Sequence, residues 1–314
     1  MADIDLATMR QAQQRIAPYI HQTPIATSSL LDQSCNCQIY FKCENQQKVG
    51  AFKIRGAVNA VFSLSVSEAD RGVATHSSGN HGAALARAAQ MRGIRSFVVM
   101  PDNAPTVKKE AVAGYGANIR FCEPTLPARE STLQRLIEET GANIIHPYDD
   151  VRIINGQGTT ALEMCEQVSG LNILLAPVGG GGLLAGVAVA MKALSPRTLV
   201  MGAEPEQADD AYRSFRTGVR VTDHRPNTVA DGLLTTLGTL NFAIIRRSVD
   251  DILTVPESKI VEAMKLIWTR LKQVVEPSAA VPLAAVLTHG HLFTDKKVGL
   301  ILSGGNVDLD NLPW

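Results

Sequence analysis

Residues 50–56 read GAFKIRG, and the lysine at the centre is the first residue that could do chemistry. Lys53 lies between Phe52 and Ile54 and leads into AVNAVFSL, a run patterned like a buried helix. Lysine is almost never buried without a partner. A desolvated ammonium gives up its proton more readily, and the neutral amine is a nucleophile suited to forming a Schiff base with an aldehyde. A lysine at the start of a helix can also snorkel to solvent. The choice depends on what accompanies it. Three short stretches rich in glycine, serine and asparagine do so: SSGNHG (77–82), VGGGGLLAG (178–186) and SGGN (303–306).

VGGGGLLAG follows an apolar strand pattern and opens a helix pattern. Backbone N–H groups in such a turn can approach an anion at the positive end of the helix dipole. Consecutive glycines from Gly179 to Gly182 exceed what a tight turn needs, so a phosphate site is predicted. Gly180, Gly182 and Ala185 also fit G-x-G-x-x-A, and Glu204 follows about 20 residues on, which reads as a dinucleotide fingerprint. No Gly-Lys-Ser/Thr follows the glycines, which excludes a P-loop, and no G-x-S-x-G elbow points to an α/β-hydrolase. Lys53 separates the remaining two: a dinucleotide site has no use for it. Pyridoxal phosphate (PLP) needs such a lysine, an anchored phosphate and a partner for its pyridine nitrogen.

The elements that must position these residues alternate. QIYFK (38–42), VATHS (73–77), SFVVM (96–100), ANIRF (117–121), NIIHP (143–147), NILLAPV (172–178), TLVMGAE (198–204) and VGLILSG (298–304) read as strands. Between them lie helical patterns: FKIRGAVNAVFSL, HGAALARAAQMRG, TVKKEAVAGYGA, LPARESTLQRLIEETG, TTALEMCEQV and GLLAGVAVAMKAL. Alternation of this kind predicts an α/β protein with parallel sheets and helices on both faces. Ligands then bind beyond the carboxyl ends of the strands, where the three loops fall.

Composition narrows the class. With 314 residues the chain fills one large or two medium domains. Lys plus Arg and Asp plus Glu number 30 each, so no net charge recommends nucleic acid or an anionic membrane as a partner. No apolar run approaches the roughly 20 residues of a membrane span. Five cysteines suggest reduced thiols and a cytoplasmic protein. Cys35, Cys37 and Cys43 could form a metal cluster, but no second pair follows at zinc spacing.

The ordered motifs FKIRGA, SSGNHG, HPYDD…NGQGT, GGGGLLAG, ADG and SGGN resemble those of the fold-type II PLP enzymes, in the branch of serine/threonine dehydratases and serine racemases. The resemblance covers nearly the whole chain. It implies a two-domain, tryptophan synthase β-like fold with the cofactor in the cleft: residues 1–70 and 150–314 as the large PLP-binding domain, 71–149 as the small one. It implies Lys53 as the Schiff-base lysine, Phe52 beside the cofactor ring and Asn80 on the ring hydroxyl. Gly179, Gly180, Gly181, Gly182 and the backbone of Leu183 would cradle the phosphate, and Ser303 would face the pyridine nitrogen. Ser77, Ser78, Asn80 and His81 would receive the substrate carboxylate. Lys53 and Ser78 would act as catalytic residues on opposite faces of the α-carbon. Arg129 matches an arginine near the mouth, where it could pair with a second carboxylate. Glu204, Asp210 and the carbonyl of Ala208 would bind a divalent cation, Mg²⁺, Mn²⁺ or Ca²⁺.

The resemblance further implies a homodimer acting on small amino acids: elimination of water from L-serine, L-threonine or 3-hydroxyaspartate to a 2-oxo acid and ammonia, with serine racemisation beside it. Ser28, Ser29, Lys48, Tyr115 and Asn306 resemble the ATP site of animal racemases. Ala83, where a glutamine is usual, and Val49, where a hydroxyl residue is usual, argue against activation by ATP. Tyr148 replaces the asparagine of the animal racemases, as in bacterial dehydratases.

Overall fold

The computed structural model describes residues 3–77, 79–104 and 106–314. Ten strands fall into two sheets: β1 (Ile25–Ala26), β2 (Gln38–Lys42), β3 (Val73–His76), β4 (Ser96–Pro101), β5 (Asn118–Cys122), β6 (Asn143–Ile144), β7 (Ile173–Pro177), β8 (Leu199–Pro205), β9 (Asp251–Val255) and β10 (Lys297–Ile301). The larger sheet runs β1-β2-β10-β7-β8-β9 and the smaller β5-β4-β3-β6. Every pairing is parallel except the two-residue β1 on β2. Strands β7 and β10 are central and apolar, and all five residues of β7 are buried, as a strand covered on both faces requires. All eight predicted strands form, β6 shorter than NIIHP suggests. β9, which begins on Asp251, and the short β1 are additions.

The helix patterns form too, with one instructive difference. TTALEMCEQV is only the second half of a helix spanning Val151–Gln167. Its first half, VRIINGQG, carries two glycines, which disfavour a helix by about 1 kcal/mol each. Tertiary contact overrides that cost. A Cβ on Gly156 would stand 2.5 Å from the Cα of Gly56, and one on Gly186 would stand 2.7 Å from the nitrogen of Gly158. Small residues let this helix touch the backbones of both Lys53–Phe62 and Gly182–Leu194.

A charged cluster lies in the same layer. Arg55, fully buried, donates Nε to Glu44 and Nη1 to Glu163 at 2.7 Å each. Lys42, also fully buried, donates to Glu163 at 2.7 Å and to the carbonyl of Thr23 at 2.7 Å. Two cations and two carboxylates thus satisfy one another without water, the condition under which buried charge is tolerated.

Cys35, Cys37 and Cys43 are free thiols packed into the core of the larger sheet. Burial pushes Cys37 up to about 12 and Cys43 up to about 11. They behave as small hydrophobes. No helix among the described residues is long and apolar enough to cross a membrane.

Candidate active site

The carboxyl ends of β3, β7 and β10 open toward one cleft, and the three loops named above follow those ends. Lys53 starts the helix Lys53–Phe62, and the chain before it is tied to the end of β10: Phe52 donates its N–H to the carbonyl of Ser303 at 3.0 Å, and Ala51 bridges to Gly304. The Lys53 ammonium donates to the carbonyl of Pro147 at 2.9 Å and stands 5.3 Å from the Phe52 ring centroid. Desolvation pushes its pKa down to about 8, with Glu276 pulling the other way. Such a lysine spends an appreciable time as a neutral amine near neutrality.

The glycine loop meets the cleft from β7. Gly181, at φ +89°, caps the helix Gly182–Leu194, and no side chain caps that buried N-terminus. Its first N–H groups therefore call for an outside acceptor. The packing leaves no room for side chains: a Cβ on Gly180 would lie 2.3 Å from the Tyr148 ring, and one on Gly182 would lie 2.9 Å from the Tyr148 carbonyl. Gly179 abuts Leu233 at 3.1 Å, and Leu183 and Ser303 are buried. The Lys53 amine and the uncapped helix start are joined through Pro147 and Tyr148, and together they are a donor set that fits a phosphate-bearing aldehyde.

The opposite wall carries the serine-rich loop. Ser77 donates its N–H to Val99 and takes the N–H of Gly79 on its hydroxyl at 3.4 Å; Ser78 lies outside the described residues. Asn80 opens the helix Asn80–Arg92, and both ends of its amide are engaged. Nδ2 donates to the two carboxylate oxygens of Glu276 at 2.9 and 3.1 Å, and Oδ1 accepts from Asn306 at 2.8 Å. His81 is buried with Nε2 3.3 Å from the carbonyl of Ile145, while Nδ1 has no partner among the described residues. Burial and then the nearby Lys53 hold it well below the usual imidazole range, so it is neutral. Arg129, on the helix Leu126–Thr140, has a buried Nε without a partner among the described residues.

Glu204, at the end of β8, and Asp210 are buried, as is Ala208. Glu204 accepts the N–H groups of Ala211 and Tyr212, and Asp210 that of Leu237. Desolvation raises Glu204 well above its ordinary value and brings Asp210 up to about 7. These backbone bonds occupy part of the Glu204 carboxylate, and the dinucleotide alternative finds no support. No group of three or more His, Cys, Asp or Glu side chains is placed to hold a metal among the described residues. Tyr115 and Asn306 line a cavity of about 750 Å³ with Ala83 and Val49, whereas Ser28, Ser29 and Lys48 are not part of its lining among the described residues.

Glu276 was not singled out by sequence. It stands alone between VV and PSAAVP, the same signal of a charge in an apolar run that marks Lys53. Burial, and next Asp231, push it up to about 7.

A lysine, a glycine cradle and a polar loop at the ends of parallel strands define a class, that of enzymes built around PLP. The sequence profile described as "Pyridoxal-phosphate dependent enzyme" matches residues 16–304, and the chain belongs to that family. It is 52% identical over 306 residues to a beta-hydroxyaspartate dehydratase of Paracoccus denitrificans, covering 98% of this chain and 97% of that protein. Maize serine racemase superposes with a TM-score of 0.96 at 45% identity, covering 98% of this chain and 95% of the other. The T.th. threonine deaminase does so with a TM-score of 0.93 at 47% identity, covering 97% and 99%. The fold is that of the fold-type II PLP enzymes.

Proposed function

We propose that this enzyme dehydrates β-hydroxy amino acids (L-serine, L-threonine or 3-hydroxyaspartate) to a 2-oxo acid and ammonia, with serine racemisation as a second activity. The observation that carries this is the Lys53 amine, lowered to about 8 and held 2.9 Å from the Pro147 carbonyl in one cleft with the uncapped glycine helix. PLP, when bound, supplies an aldehyde that captures amines and a ring that withdraws electrons from the α-carbon. Gly179 to Gly182 and Leu183 would hold its phosphate, Phe52 and Asn80 would bind beside its ring, and Ser303 would meet its nitrogen. Ser77, Ser78, Asn80 and His81 would receive the substrate carboxylate. Lys53 takes the α-proton on one face, and Ser78 serves the other.

Glu204, Asp210 and the Ala208 carbonyl bind a divalent cation of the Mg²⁺, Mn²⁺ or Ca²⁺ type. Two desolvated carboxylates with raised pKa values support this, since a cation would offset their charge. The two sheets, drawn from separate stretches, support a small domain of 71–149 and a large domain of 1–70 with 150–314. A cytoplasmic homodimer completes the proposal.

The test is product analysis with each substrate in turn. The holoprotein should release 2-oxo acid and ammonia from at least one of them, and Lys53→Ala should abolish release while keeping the wild-type melting temperature. Release of neither product from any of the three, by protein that carries PLP, rejects the dehydratase.

A further inference from the structure

The turn that supplies the Pro147 carbonyl is built around a histidine. His146 Nδ1 accepts the N–H of Asp149 at 2.9 Å and that of Tyr148 at 3.3 Å. A ring nitrogen that accepts two N–H groups carries its lone pair there, so the ring proton belongs on Nε2. Closing the turn has three effects. It aims the Pro147 carbonyl at Lys53 Nζ. It sets the Tyr148 ring edge-on to the imidazole, centroids 4.6 Å apart, against Gly180. It also delivers the Asp149 carboxylate to the N–H groups of Thr239, Leu240 and Asn241 at the start of the helix Thr239–Ser248.

We infer that His146 is a positioning residue for Lys53, acting through the turn and the Pro147 carbonyl. The inference rests on Lys53 being the reactive amine of the proposed function. A protonated His146 would turn an N–H toward two other N–H groups and force the turn open. The groups facing the ring divide. His76, edge-on with centroids 6.4 Å apart, and Lys53 disfavour its protonation, and Asp149 and Asp150 favour it. Burial outweighs both and brings the imidazole down to about 4. The acceptor at Nδ1 is therefore present throughout the neutral range.

A histidine that merely fills space predicts different behaviour from one that accepts these bonds, and two substitutions separate them. His146→Asn keeps an acceptor oxygen near the place of Nδ1; His146→Leu keeps bulk and removes the acceptor. The readout is the rate at which the apoprotein captures PLP at Lys53, followed by borohydride trapping and mass spectrometry across pH. His146→Leu should slow capture roughly 10- to 100-fold, the order of cost of a misplaced reacting group. It should also lower the pH midpoint of capture, because the carbonyl that favours the ammonium is displaced. His146→Asn should stay within a few-fold of wild type. Wild-type capture rate and midpoint in His146→Leu overturn the inference. If His146→Leu does not fold, nitrogen NMR of the wild-type imidazole decides: an unprotonated Nδ1 between pH 6 and 8 supports the inference, and a protonated one rejects it. Lys53→Ala is the control. Covalent PLP capture by Lys53→Ala would bring down the proposed function itself, whereas normal His146→Leu beside inert Lys53→Ala removes only the role of His146.

Discussion

The two walls of the cleft are made differently. On the wall of the larger sheet every residue of β7 is buried, and the loop beyond it offers backbone: glycines pressed to within 2.3–3.1 Å of where a Cβ would meet Tyr148 or Leu233. On the wall of the smaller sheet, edge strand β5 has no buried residue, and the segments after β3 and β5 offer side chains: Ser77 and His81 after the first, Arg129 after the second. One wall fixes position by the path of the chain, the other by interchangeable groups on a thinner support. The first suits a cofactor that never changes, and the second suits a substrate whose identity can drift.

The sharpest way to break this contrast is a methyl group on each side. Gly180→Ala drives a Cβ into the Tyr148 ring, and overpacking of that kind costs about 1–3 kcal/mol. It should lower the melting temperature and weaken PLP binding by titration. Gly114→Ala, whose Cβ would meet nothing within 4 Å, should stay within about 0.5 kcal/mol. Equal tolerance at both sites would remove the distinction. Next comes the cation proposed for Glu204 and Asp210, on the side of the larger sheet. If that site is real, chelator treatment followed by Mg²⁺ at a hundredfold excess over its Kd should return about 2.7 kcal/mol of stability. A melting curve indifferent to both treatments excludes the site.

The wall of the smaller sheet should respond in selectivity instead. Arg129→Ala should reduce kcat/KM for 3-hydroxyaspartate about tenfold relative to L-serine, since a charge-assisted bond to a second carboxylate contributes about 1.5–3 kcal/mol. Parallel losses for the two substrates would leave Arg129 a surface residue. The smallest effect concerns pH. Lys53 is lowered to about 8, so its neutral, capturing form accumulates as pH rises through 8 and PLP uptake by the apoprotein should climb with that midpoint. The charge on Glu276 raises the Lys53 value, so Glu276→Gln should move the midpoint down by a fraction of a unit. An upward shift would contradict the electrostatic sign.

What the sequence revealed follows the same division. The helix Gly182–Leu194 was legible to the residue, because four glycines and an apolar run admit little else. Lys53 was legible as a charge in an apolar setting, and Glu276 carried the same mark at lower contrast. Illegible were facts that exist only between distant segments. The glycines of Val151–Gln167 argue against helix until the backbones of Gly56 and Gly158–Gly186 meet. His146 reads as one imidazole in a polar turn until two N–H groups converge on it. The amide of Asn80, expected to face a cofactor hydroxyl, is claimed at both ends by Glu276 and Asn306, and neither neighbour is near it in the chain.

The buried quartet of Lys42, Glu44, Arg55 and Glu163 has a consequence for how this chain can be recombined with its relatives. Its members sit on β2, on the turn after it, on the lysine helix and on the helix Val151–Gln167. A crossover that imports a segment lacking its member of the quartet leaves a charge sealed from water with no counterion, at a cost of about 3–5 kcal/mol. Segments 38–62 and 151–167, far apart in the chain, are thus tied together as one electrostatic block. A chimaera that respects the block can exchange the substrate wall freely, and one that splits it should fail to accumulate as folded protein.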